Sequence, residues 1–140
     1  MSSDYASILR GAGLRVTAAR MSVLEVIDER DHPDADAIRV EVGARLGSIS
    51  GQAVYDALNI LTAKGILRRV EPAGRRARYE LDCGDNHHHV VCRRCGRVAD
   101  VTCAVGEAPC LEPRALEEGW NVASAEVFYW GLCPDCPESV

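Results

Sequence analysis

Two Cys-x-x-Cys pairs, Cys92 with Cys95 and Cys133 with Cys136, constrain this chain more than any other feature. A two-residue spacer lets both thiolates of a turn face one ion, and two such turns complete the tetrahedron that zinc prefers. The 37 residues from Gly96 to Leu132 separate the pairs, longer than in a compact zinc ribbon. The spacing suits a site that ties the end of the chain back to the start of its domain. Four protein ligands leave no position for water, so a zinc held there is structural. The same spacing is also compatible with an iron–sulfur cluster or a thiol switch. Cys83, Cys103 and Cys110 lie outside the pairs, as buried small hydrophobes, extra ligands or reactive thiols. In a reducing cytosol clustered thiols more often bind metal or sense oxidants than form disulfides, and an odd total of seven argues against a fully paired framework.

Composition changes near Asp82. Residues 1–82 hold twelve Lys/Arg against twelve Asp/Glu and no cysteine, whereas residues 83–140 hold four against nine and all seven cysteines. The chain therefore reads as two domains, 1–82 and 83–140. Its net charge of −5 resides in the second. Within the first, Lys64, Arg68, Arg69, Arg75, Arg76 and Arg78 face one acid, Glu71, which makes a local basic stripe where phosphate can dock. No apolar run reaches the ~20 residues of a membrane span, and the start of the chain is polar, so a soluble, cytoplasmic protein without a membrane partner is expected.

The first domain reads as four helices and a hairpin. Ile8 and Leu9 open a short helix that Gly11 and Gly13 end. Thr17 caps a second helix carrying Met21, Val23, Leu24, Val26 and Ile27. Asp34 caps a third with Ile38, Val42 and Leu46, stopped at Gly47. Ser50 caps a fourth with Val54, Leu58 and Leu61 on one face and Gly65 at its end. Strands over Ile66–Val70 and Arg76–Leu81 flank Pro72-Ala73-Gly74. This is the pattern of a winged helix-turn-helix, whose helix from Ser50 enters the major groove while the hairpin lies along the backbone. Helical bundles with a terminal hairpin also serve as interaction modules. The second domain reads as strands at Val90–Cys92, Val98–Val101 and Glu126–Leu132, with a short helix over Leu111–Glu118. The fold class is α+β.

His87-His88-His89 is the second chemical signal. On a strand, His87 and His89 share a face and His88 points away. Such imidazole pairs suit iron, zinc, nickel or manganese, and Glu80, Asp85 and Asp100 lie nearby in sequence. His32, beside Pro33, is either a ligand from the first domain or a helix flank without a partner.

Taken together, Gly13-Leu14-Arg15-Val16-Thr17, Arg20, His32-Pro33-Asp34-Ala35, Ala53-Val54-Tyr55 and Leu58 resemble the DNA-binding half of ferric uptake regulators. Arg78-Tyr79-Glu80-Leu81, the histidine run, Cys92-Arg93-Arg94-Cys95-Gly96 and Gly131-Leu132-Cys133 resemble its dimerisation half. The stretches Gly84–His89 and Cys103–Cys110 are similar to the actinobacterial, peroxide-responsive branch associated with catalase and peroxidase control. The resemblance implies a winged-helix DNA-binding domain joined to a small α/β dimerisation domain with structural zinc. It implies a homodimeric, non-enzymatic repressor that binds palindromic double-stranded operator DNA when loaded with Fe(II) or Mn(II). The implied regulatory ligands are His32, Glu80, His87, His89 and Asp100. A further family metal site would use His88 and Glu107, but Ala125 stands where its downstream histidine belongs.

By the same resemblance, Gln52 and Tyr55 contact bases, Arg15 and Arg20 reach backbone or minor groove, and Lys64, Arg75 and Arg76 meet phosphate. Gly51 stands where many members carry Arg, and Asp56 where many carry Arg or Lys, so Asp56 either reads a cytosine amine or turns inward. Asp100 matches peroxide sensors, in which a ligand histidine (here His32 or His87) is oxidised; Glu80 stands where those sensors usually have Asp. The alternatives are an iron-, zinc- or nickel-sensing repressor without peroxide chemistry, a zinc-stabilised thiol redox protein, and an oligomeric metal-binding module with no DNA partner.

Overall fold

Each helix starts on a side-chain oxygen that takes an otherwise unsatisfied backbone N–H. Helix α1 (Tyr5–Gly11) is capped by Asp4, α2 (Ala18–Glu29) by Thr17, α3 (Ala35–Leu46) by Asp34 and α4 (Gly51–Ala63) by Ser50. The capping oxygens accept from Ser7, Arg20, Ala37 and Ala53. Each such cap contributes about 1 kcal/mol. The caps at Thr17, Asp34 and Ser50 are those expected from the sequence; the one at Asp4 was not foreseen. Helix α4 stops because Gly65 takes a left-handed φ of 74°, which lets Ile66 N–H reach the Leu61 carbonyl at 3.0 Å.

These elements come from a computed structural model that describes residues 4–82, 87–102, 116–123 and 125–136. The chain divides into two units, Met1–Asp82 and Cys83–Val140.

In the first unit, the apolar faces of the helices meet in one core that includes Leu9, Leu24, Ile38, Val42, Leu58 and Leu61, all fully buried. Strand β1 (Leu67–Val70) and strand β2 (Arg78–Leu81) form an antiparallel hairpin, with Leu67 opposite Leu81 and Val70 opposite Arg78. Leu67 and Tyr79 anchor that hairpin in the helical core. The loop before α3 joins it from the other side: Asp34 bridges Arg78, and Tyr79 N–H donates to the Pro33 carbonyl at 3.0 Å. Replacing Leu58 with Ala is expected to destabilise this unit by about 2–5 kcal/mol, since a fully buried leucine leaves a cavity. Urea denaturation followed by helical circular dichroism measures this loss.

The second unit holds a three-stranded sheet in the order β4-β3-β5, built from β3 (His87–Cys92), β4 (Val98–Thr102) and β5 (Phe128–Gly131). Strand β3 pairs antiparallel with β4 and parallel with β5.

Several boundaries differ from the sequence reading. Strand β2 begins at Arg78, not Arg76, because the turn closed by Arg75 N–H on the Pro72 carbonyl extends the hairpin tip. Strand β3 includes the whole histidine run, and β5 is shorter than Glu126–Leu132. Of the helix expected over Leu111–Glu118, only Leu116–Glu118 are described, and they are not helical. Cys83, Cys103, Glu107 and Cys110 lie outside the described residues.

Candidate metal centres and nucleic-acid face

The four-cysteine cluster follows from the parallel pairing of β3 with β5. Cys92 ends β3 beside Gly131, which ends β5, so both Cys-x-x-Cys turns leave the sheet at the same edge. Arg93 N–H donates to the Gly131 carbonyl at 2.8 Å and fixes that edge. In the first turn Gly96 takes φ 80°, and Cys92 N–H donates back to the Arg97 carbonyl at 2.9 Å. In the second, Cys136 N–H donates to the Cys133 carbonyl at 3.0 Å.

All four sulfurs lie within 4.8 Å of one another, and Cys95 and Cys133 are 3.7 Å apart. A tetrahedron of ~2.3 Å zinc–sulfur bonds has edges of about 3.8 Å, so the donor set fits zinc in both chemistry and size. Amide N–H groups of Cys95 and Cys133 lower the Cys92 thiol to about 5. Hydrogen bonding to the Cys133 thiol, helped by burial, pushes Cys136 up to about 12. A divalent cation replaces the protons shared among these thiols, so affinity for it rises with pH.

Each unit carries histidines of its own, His32 in the first and His87, His88 and His89 in the second. In the first, His32 is buried in the loop that lies along β2 and takes the left-handed φ of 49°. A non-glycine residue there costs free energy and is held by its surroundings. Arg78 donates to the His32 carbonyl at 2.9 Å, and the ring is gripped at both nitrogens. Its Nδ1 lies 2.7 Å from Asp31 Oδ1 and its Nε2 lies 2.9 Å from the buried Glu80 Oε2. His32 is therefore a partnered side chain in a built site. A carboxylate on Nδ1 fixes the tautomer that leaves Nε2 able to ligate, the arrangement common to metal-binding histidines. Asp31 was not foreseen, since adjacency to a histidine is a weak signal.

In the second unit, His87 and His89 share a face of β3, their ring centroids 4.8 Å apart. Asp100 sits opposite His89 across the β3–β4 pair. Its Oδ1 lies 3.4 Å from His87 Nε2 and 3.5 Å from His89 Nε2. Two imidazoles and a carboxylate on one face form a donor set for a divalent first-row ion. His88, on the other face, is also buried, and its Nδ1 accepts from Val127 N–H at 3.3 Å. That bond places His88 in the packing between β3 and the approach to β5.

The exposed face of α4 carries Gln52, Tyr55, Asp56 and Asn59, opposite the buried Val54, Ala57, Leu58 and Leu61. Tyr55 is 40% exposed. Asp56 does not turn inward; it is exposed and accepts from Gln52 Nε2 at 2.8 Å. Arg15 lies in the loop before α2, where its carbonyl accepts from Arg20 Nη1 at 2.8 Å. Lys64 is exposed at the end of α4, Arg75 half-buried at the hairpin tip, and Arg76 exposed and 3.0 Å from Asp36.

A winged helix with an exposed recognition-type helix in one unit, and a four-cysteine cluster in the other, define the class of metal-binding, DNA-binding transcription regulators. Residues 11–129 match the ferric uptake regulator family. The chain is 54% identical over 133 residues to the transcriptional regulator FurA of Mycobacterium tuberculosis, covering 95% of this chain and 90% of that protein. It is 50% identical over 127 residues to ferric uptake regulation protein 1 of Mycolicibacterium fortuitum, covering 91% and 78%. The crystal structure of the Vibrio cholerae ferric uptake regulator superposes with a TM-score of 0.71 at 25% identity, covering 93% of this chain and all of that one. The chain belongs to the ferric uptake regulator family and is a metal-dependent transcriptional regulator. Among the described residues, no helix is long and apolar enough to cross a membrane.

Proposed function

We propose that this regulator is a homodimeric repressor that binds a palindromic operator when a divalent ion joins its two histidine sets into one site. His32 and Glu80 supply ligands from the DNA-binding unit, and His87, His89 and Asp100 from the other. The grip on His32 carries this reading: a strained, buried imidazole, held by Asp31, is aimed at a second carboxylate. An ion held by both sets biases the angle between the units, and so the spacing of two recognition helices in a dimer, toward one turn of DNA. The cysteine cluster holds zinc as a structural clasp. Cys92, Cys95, Cys133 and Cys136 fill its coordination, which suits structure and not catalysis.

The regulatory ion is Fe(II) or Mn(II), and the response extends to peroxide. Bound at these residues, Fe(II) would supply reducing equivalents toward hydrogen peroxide. His32 and His87 would be the ligands open to oxidation by peroxide, and an oxidised imidazole would ligate more weakly. Asp100 in the set supports this reading, by the resemblance of that position to peroxide sensors. The test is a gel-shift titration of zinc-loaded protein on DNA from its own promoter region. Fe(II) and Mn(II) should each promote binding, and peroxide should abolish the Fe(II)-dependent part alone. Equal release from both metals would point to a thiol mechanism, and indifference to peroxide to plain iron sensing.

A further inference from the structure

We propose that Asp56 is a positioning residue for base recognition, which locks the Gln52 carboxamide in the orientation that reads adenine. The inference rests on α4 being the recognition helix. Gln52 is the second residue of that helix, and residues near the N-terminus of such a helix meet base edges. Gln52, Tyr55, Asp56 and Asn59 follow at spacings of three and four, so they form one exposed stripe.

A glutamine carboxamide alone turns over readily and presents either its oxygen or its nitrogen to a base. Here a carboxylate settles the question. Asp56 can only accept, so the atom 2.8 Å from its Oδ1 must be the Gln52 nitrogen. With the N–H on the side away from Oε1 given to Asp56, the second N–H and the Oε1 acceptor stay side by side and free for a base. Adenine presents the complement in the major groove, an N7 acceptor beside an N6 donor. Guanine presents two acceptors, and its O6 would face Oε1 without a hydrogen between them. A negative charge on a DNA-facing helix weakens binding to every duplex through phosphate repulsion. What Asp56 contributes is therefore discrimination among sequences, not affinity.

The test selects binding sites from a randomised duplex library with full-length protein carrying zinc and Mn(II). The wild type should enrich a motif with one adenine per half-site. Replacing that adenine by 7-deazaadenine, which lacks N7, should weaken wild-type binding by about 5- to 100-fold. Asp56→Ala and Gln52→Ala should lose the adenine preference at that position. Asp56→Glu keeps an acceptor-only carboxylate for Gln52, so it should keep the preference. All three side-chain changes lie on exposed positions, and the helical circular dichroism should match the wild type. An adenine preference unchanged in Asp56→Ala would overturn this inference alone. A wild type that enriches no motif would overturn the operator-binding reading with it.

Discussion

Cys133→Ser will release zinc and unfold the second unit while leaving the first folded. The described part of that unit is a three-stranded sheet with few fully buried side chains, Val91 and His89 among them. So small a core leaves much of the unit's stability to the cluster. Structural zinc in small domains contributes on the order of 10 kcal/mol or more of folding free energy. A serine hydroxyl at that position cannot take the place of a thiolate for zinc. The two tryptophans, Trp120 and Trp130, both belong to this unit, so their fluorescence reports on it alone. Metal analysis should find zinc missing, and the emission should shift to the red. Helical circular dichroism should persist, because α1 to α4 close a core of their own. A zinc-free variant with native tryptophan emission would refute the structural role.

The second large effect concerns the histidines. His32→Ala and His87→Ala should each remove the gain in DNA affinity that Mn(II) confers, a change of roughly 10- to 100-fold. The two substitutions strike different units, and their effects should not add, because either one breaks a shared ligand set. Affinity measured by fluorescence anisotropy, with and without Mn(II), checks both. His87 is half-buried at the end of its strand, so its loss should spare the fold. If His87→Ala unfolds the sheet, the residue is structural; if the Mn(II) response survives in either variant, that residue is not a ligand.

Much of the first unit was legible because its signals are local. A cap such as Ser50 or Asp34 and an apolar row such as Val54, Leu58 and Leu61 act within a few residues. The pairing of His87 with His89 follows from the period of a strand, and the register that sets Asp100 against His89 follows from a short turn between β3 and β4. What was not legible depends on distant partners. Nothing near Pro33 announces that its carbonyl will take the Tyr79 N–H, the contact that lays His32 along β2. The parallel alignment of β3 with β5, which gathers the thiols, joins strands separated by a long connection and leaves no local trace. His88 points away from His87 and His89, as the strand period requires, but its burial against the Val127 N–H depends on a partner 39 residues away. Asp56, expected either to read a cytosine amine or to turn inward, stays exposed and accepts from Gln52.

The claim that one ion spans both histidine sets is tested most directly by anomalous diffraction from crystals grown with Mn(II). A manganese peak bonded to His32 and Glu80 on one side and to His87, His89 and Asp100 on the other is the expected result. Manganese bound by ligands of a single unit, with His32 Nε2 turned elsewhere, would contradict it.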